Sequence, residues 1–353
     1  MLTIILLSAF CLVFGLIVTP FIIKISFKLN AVDMPGHRKV HKVPIPTLGG
    51  LAIFFSFLAG LLIIQPQSSY HLAIVIGALL MIILGFMDDL YHLTAKAKFL
   101  FQVTIACLVV FWGDLQVSFI NLPFGGQLEF GWLSIIVTIF WIVGITNAIN
   151  LIDGLDGLSA GISAIVLLTI GSMAIIMDNV YVLSMSIILF WSILGFLPYN
   201  FHPAKTFMGD TGSLFLGYMI AVLSLLGFKN VTFISFVIPI LILAVPIFDT
   251  VVAIIRRLVQ KRPIASPDSS HLHHKLLQLG MTHRQAVLFM YLLSSLFSFA
   301  AILFSMSTVW GAILIVTISL LLIQLLIETL ELIDSKFKPL TNLMKVRRGN
   351  NRG

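Results

Sequence analysis

Long apolar stretches, almost free of charge, follow one another along most of this chain, and no other feature limits its fold so tightly. A hydrocarbon core about 30 Å thick takes about 20 apolar residues in helical form. Backbone groups find no water there, so a spanning segment is either a helix or part of a closed barrel. The runs are continuous rather than alternating, which selects helix. Eleven candidate spans result, near residues 3–23, 48–65, 72–87, 99–113, 132–150, 158–177, 180–197, 212–228, 231–255, 286–306 and 309–330. Composition agrees: 59% of the residues are hydrophobic and 10% charged, where a soluble domain carries about a quarter as charges. The expectation is an all-α polytopic membrane protein of about 11 transmembrane helices.

The formal charge of +7 would suggest a nucleic-acid partner only if it formed a basic surface in water. Instead it sorts by side. If the first helix enters from outside, 20 of the 21 Lys and Arg residues fall in segments facing inward, and only Lys229 does not. The positive-inside rule then places the N-terminus outside and the C-terminus in the cytoplasm, and no nucleic-acid partner is expected. The first run lacks a basic leader and a small-residue cleavage pattern, so it reads as a retained helix. Cys11 and Cys107 lie inside apolar runs and offer no disulfide framework. Residues 115–131 alternate apolar and polar about Gly125-Gly126, as a small outer β-hairpin would. Residues 1–335 read as one membrane domain. Residues 336–353 read as a basic cytoplasmic tail whose Lys345, Arg347 and Arg348 touch anionic lipid.

Polar residues gather at one face. Asp88, Asp89, Asp153, Asp156, Asp210, Asp268 and every histidine except His71 map to inner helix ends or inner loops. Asp88 and Asp89 close the third span; two carboxylates about 5 Å apart repel by about 3 kcal/mol at an effective dielectric near 20. Either one stays protonated or a cation sits nearby, and magnesium held by a few carboxylates and a substrate phosphate would serve. Thr94 is placed to cap the next helix, which puts Lys96 and Lys98 in its first turn; an anion there would meet both lysines and helix amides. Asn147, Asn150, Asp153 and Asp156 recur at every third position, and a straight helix would aim the first and last at opposite faces. Either the helix tightens or Gly154 and Gly157 break it. Asp210, between glycines ahead of a span, is either a helix cap or a ligand for a metal-bridged diphosphate. His271, His273 and His274 lie in the most basic inner loop, where hydrogen bonding to phosphate or sugar fits better than zinc, because no third ligand has suitable spacing. Asp249, behind Pro246 in an apolar run, has no role readable from its neighbours.

Taken together and in this order, the motifs resemble the polyprenyl-phosphate N-acetylhexosamine-1-phosphate transferases. The landmarks are His41-Lys42 with Pro46 to Gly50, Gly85 to Asp89 with Lys96 and Lys98, Asn147 to Gly157, Asn200 to Ser213, and His271-Leu-His-His. The His-x-His-His form is that of the UDP-N-acetylglucosamine (UDP-GlcNAc) branch, whereas the branch handling UDP-N-acetylmuramoyl-pentapeptide carries consecutive histidines. The resemblance implies transfer of GlcNAc-1-phosphate from UDP-GlcNAc to undecaprenyl phosphate, releasing UMP. This would be the first membrane step of an envelope polymer such as wall teichoic acid, in the bacterial plasma membrane with the site on the cytoplasmic face. It further implies Mg2+, with Mn2+ as substitute, on Asp210, with Asp88, Asp89 and Asp153 as further candidates. By the same resemblance Asp88, Asp89, Lys96, Lys98, His271, His273 and His274 are the catalytic set, and Lys42, Thr47, Asn147, Asn150, Asp153, Asp156, Asn200 and Phe207 hold substrate. Membrane lipids are partners, and a homodimer is compatible. The alternatives are the pentapeptide transferase and, from another class, a proton-coupled transporter. The latter would place its acids near the midplane, and these lie at one face.

Overall fold

The computed structural model describes residues 2–35, 43–117, 119–121, 126–227, 233–263, 268 and 270–333. Thirteen helices form among them: α1 Leu2–Lys28, α2 Gly50–Ile64, α3 His71–Tyr91, α4 Ala95–Trp112, α5 Leu133–Leu151, α6 Leu158–Ile176, α7 Val180–Asn200, α8 Gly209–Gly227, α9 Phe233–Ile242, α10 Ala244–Val259, α11 Leu272–Gln278, α12 His283–Ser305 and α13 Val309–Thr329. The protein is therefore all-α and multi-pass, as the apolar runs require.

Nine helices among the described residues are long and apolar enough to cross a membrane: α1, α3 to α8, α12 and α13. Two of the eleven expected spans take another form. The run at 48–65 becomes α2, of 15 residues, which at 1.5 Å per residue reaches only about 22 Å. The run at 231–255 divides at Leu243 into α9 and α10. Pro246 has no N–H to give the carbonyl of Ile242, so the ladder is interrupted at that point. It resumes where Ile247 N–H donates to Leu243 O at 3.0 Å.

Two short antiparallel ribbons accompany the helices. β1 (Val32–Asp33) pairs with β2 (Ile45–Pro46), and β3 (Phe119–Asn121) pairs with β4 (Gln127–Glu129), in the register Ile120 to Leu128. The second is the expected hairpin; its connection at 122–125, like His41, Lys42, Lys229 and the tail at 336–353, lies outside the described residues.

α8 is the axis of the bundle. Every residue from Thr211 to Gly227 is buried, under α2, α3, α5, α6 and α7. Chain direction alternates, so one end of the bundle collects the C-terminal ends of α3, α5 and α7 and the N-terminal ends of α4 and α8. At the opposite end, His71 of α3 meets the Tyr181 hydroxyl of α7 at 3.1 Å. The motif residues thus share one end of the fold.

Candidate functional site

The site is built where α3 ends against the start of α8. Asp89 Oδ1 accepts from Asp210 N–H at 2.9 Å, and Oδ2 accepts from Thr211 N–H at 3.0 Å and the Thr211 hydroxyl at 2.6 Å. Asp89 therefore supplies the capping acceptor that α8 lacks in its own sequence. The approach depends on two glycines. A Cβ on Gly85 would meet Thr211 Cα at 2.5 Å, and one on Gly209, whose φ is +69°, would meet Asp89 Oδ2 at 2.6 Å.

Asp88 turns the other way. It is 5% exposed; Oδ1 accepts from Leu93 N–H at 2.7 Å and Oδ2 is ion-paired with Lys98. Thr94 caps α4, accepting from Ala97 N–H at 3.3 Å, and this fixes the turn that carries Lys98. Lys98 Nζ also meets Asp210 Oδ2 at 2.7 Å, so one ammonium bridges the two carboxylates. The Asn150 amide donates to Asp210 Oδ1 and, at 2.8 Å, to Ser213 Oγ. Asp210 keeps 29% of its side chain exposed.

Helix α5 stops at Leu151, and residues 152–157 turn before α6 begins after Gly157, with φ +78°. Breakage, not tightening, resolves the three-residue repeat. Asn150 faces Asp210, whereas Asn147 donates to Gln102 Oε1 at 2.6 Å, inside the bundle and away from the cleft. Asp153 projects from the turn and meets no hydrogen-bond donor among the described residues. Burial and then the carboxylates of Asp210, Asp89 and Asp156 push its carboxyl well above the usual range. Asp156 Oδ2 accepts from Ala204 N–H at 3.1 Å and lies 2.7 Å from His202 Nδ1.

These groups line a cleft of about 720 Å³ with Thr47, Asp89, Asn150, Asp153, Asp156, Asn200, Phe207, Asp210 and His274 on its wall. Thr47 is placed by the Phe207 amide, which donates to Pro46 O at 2.7 Å. Asn200 is also a latch: its Oδ1 accepts from Gly157 N–H at 3.1 Å and its amide donates to Thr206 O at 3.0 Å. Lys96 is exposed and takes no part in the carboxylate network. His271 Nδ1 lies 2.8 Å from Asp249 Oδ2. His273, 1% exposed, has both ring nitrogens buried without partners, and a Cβ on Gly154 would strike its ring. Burial first and then His274 draw the His273 pKa down to about 3.

Two residues without an assigned role in the motif reading join the cleft. His202 and His283 stack at 4.2 Å with 17° between their planes, beside Asp156. These three have the donor atoms to share a metal ion: Asp156 Oδ2 lies 2.7 Å from His202 Nδ1 and 4.0 Å from His283 Nε2, and the same oxygen also accepts from Ala204 N–H. The signal for His283 is the Thr282–Gln285 capping box, which starts α12 at that residue. The signal for Asp249 is an acid within an apolar run, which asks for a buried partner.

A lysine-bridged acid pair, a capped helix start and a cleft at one end of a helical bundle are the parts of a phosphoryl-group transferase working on a membrane. Residues 71–228 match the model for glycosyl transferase family 4. The chain belongs to that family and is a multi-pass glycosyl-1-phosphate transferase. It is 50% identical over 333 residues to the probable undecaprenyl-phosphate N-acetylglucosaminyl 1-phosphate transferase of Bacillus subtilis, covering 94% of this chain and 93% of the relative. It is 35% identical to the decaprenyl-phosphate N-acetylglucosaminephosphotransferase of Mycolicibacterium smegmatis, over 86% of this chain and 84% of that one. The phospho-N-acetylmuramoyl-pentapeptide-transferase of Listeria monocytogenes is 37% identical over 59% of this chain and 68% of its own.

Proposed function

We propose that this chain transfers GlcNAc-1-phosphate from UDP-GlcNAc to undecaprenyl phosphate at the cytoplasmic face of the plasma membrane. The observation that carries the reading is Asp210, left partly exposed at the cleft while Lys98, Asn150 and the Asp89-capped amides hold it in place. The identity and coverage of the Bacillus relative support the same substrates. The charge asymmetry supports the side, because segments rich in Lys and Arg favour the cytoplasm.

In the reaction, an oxygen of the lipid phosphate attacks the sugar-bearing phosphorus of UDP-GlcNAc. The bond from that phosphorus to the bridging oxygen breaks, and UMP leaves with the electron pair. The donor is water-soluble and the acceptor lipid-bound, so a polar cleft at the membrane boundary brings them together. In this reading Asp88 holds Lys98, and Lys98 offers a positive charge to the diphosphate. The turn at 152–157, with Asn200 and Phe207, receives the uridine end, and the family resemblance extends the product to wall teichoic acid.

The donor set fits a magnesium ion. Asp88 and Asp89 are engaged by other groups, whereas Asp210 is partly open and Asp153 meets no donor among the described residues, so these two carboxylates offer oxygen ligands beside one cleft. When bound there, magnesium would neutralise charge on the diphosphate as the bond breaks. The test is to incubate the detergent-purified chain with UDP-GlcNAc, undecaprenyl phosphate and Mg2+ and measure UMP. The expected result is release that stops with EDTA or with Asp210→Asn and is far weaker with the pentapeptide nucleotide. No UMP from any nucleotide would overturn the reading, and preference for the pentapeptide nucleotide would move the chain to the other branch.

A further inference from the structure

Asp249 sits in α10, outside the acid cluster, yet both of its oxygens are committed. Oδ2 is 2.8 Å from His271 Nδ1, and Oδ1 accepts from Leu272 N–H at 2.7 Å; Asp249 is 4% exposed and His271 5%. His271 occupies the cap position of α11 but caps nothing with its own side chain. The acceptor arrives from a helix 22 residues earlier and spends its second oxygen on the imidazole. A cap alone would need only one.

The loop between them is tied a second time to the same face of α10. Arg256 lies seven residues, or two helical turns, beyond Asp249. Its guanidinium is ion-paired with Asp268 Oδ2, while Asp268 Oδ1 accepts from Ser270 N–H at 2.9 Å. Arg256 also donates to Leu332 O at 2.6 Å. Asp249 therefore holds the ring itself, and Asp268 holds the backbone just before it. An ionised carboxylate can only accept, so the His271 nitrogen facing it carries a proton, and in the neutral ring Nε2 is then the accepting nitrogen, with no partner among the described residues.

We propose that Asp249 is a positioning residue for His271, fixing its ring with the proton on Nδ1 so that Nε2 is the nitrogen presented to the transfer reaction. The proposal rests on the transferase reading above. In Asp249→Asn the amide oxygen keeps the Leu272 N–H, while the amide nitrogen donates to Nδ1 and drives the proton to Nε2. Fold and cap are preserved and only the tautomer is reversed.

The test uses the full chain in detergent with 15N-labelled histidine, the His271 signals being assigned with His271→Gln. Wild type is expected to carry the Nδ1–H tautomer and Asp249→Asn the opposite one. UMP release by Asp249→Asn should fall roughly 100-fold in kcat, with KM for UDP-GlcNAc changed less than about twofold. In the His271→Gln background the same substitution should lower kcat by less than about twofold, because Asp249 acts through the ring. Wild-type turnover in Asp249→Asn, or an equal loss in both backgrounds, would overturn the proposal. So would an Nε2–H tautomer in the wild type. Absence of UMP from the wild type would instead sink the transferase reading and leave the tautomer result standing.

Discussion

Asp89 of α3 holds the first turn of α8 by accepting from Asp210 N–H, Thr211 N–H and the Thr211 hydroxyl. The neighbouring acids of the Asp88-Asp89 pair thus do different work. Asp88 orients a lysine, and Asp89 fixes the backbone that carries Asp210.

Asp89→Ala leaves three donors without their acceptor, and each such buried group costs about 1–3 kcal/mol. The variant should unfold several degrees below wild type and lose most of its UMP release, with Asp89→Asn intermediate on both measures. Thermal unfolding followed by tryptophan fluorescence reads the first. An inactive Asp89→Ala with unchanged unfolding temperature would show that Asp89 touches the reacting groups directly.

Asn147 and Asn150 lie one helical turn apart and should respond differently. Asn150→Ala removes the amide that steadies Asp210 and is expected to cut kcat by about tenfold or more, since a hydrogen bond to a charged group is worth about 1.5–3 kcal/mol. Asn147→Leu breaks the contact with Gln102, worth about 0.6 kcal/mol between membrane helices, and a bond within α5 to Val143 O. Its kcat should stay near wild type. Equal losses at the two positions would return Asn147 to the substrate-binding set.

His273 gives the fold a pH dependence whose sign follows from its burial. Its folded pKa, near 3, lies below the unfolded value of about 6.5, so the unfolded chain binds more protons between these values. The contribution of neutral His273 to stability is fully present above about 6.5 and declines as pH falls toward 3. In His273→Leu, which cannot titrate, the unfolding temperature should fall less steeply over this window. Parallel curves for the two proteins would mean that the ring is hydrated in the folded state.

Much of this architecture is legible in residue order. Continuous apolar runs dictate helices, β3 pairs with β4 as the alternation of residues 115–131 requires, and Thr94 caps α4 as its position suggests. Distances between runs are not legible in this way. Nothing local separates Asn147 from Asn150, because their difference arises from which neighbouring helix each meets. Nor does the spacing of His271, His273 and His274 reveal that the first is held by Asp249, the second sealed against Gly154 and the third placed on the cleft. The break at Leu243 follows from Pro246, a signal present in the chain but masked by strong hydropathy on both sides.

The enclosure of α8 separates two kinds of sensitivity. Lipid tails press on α13, where Trp310, Ile313, Leu314 and Leu321 stand exposed, but a shell of protein keeps them from the helix that carries Asp210. A thicker or thinner bilayer therefore strains the periphery first, while the spine beneath the reaction centre answers to the volume of its own side chains.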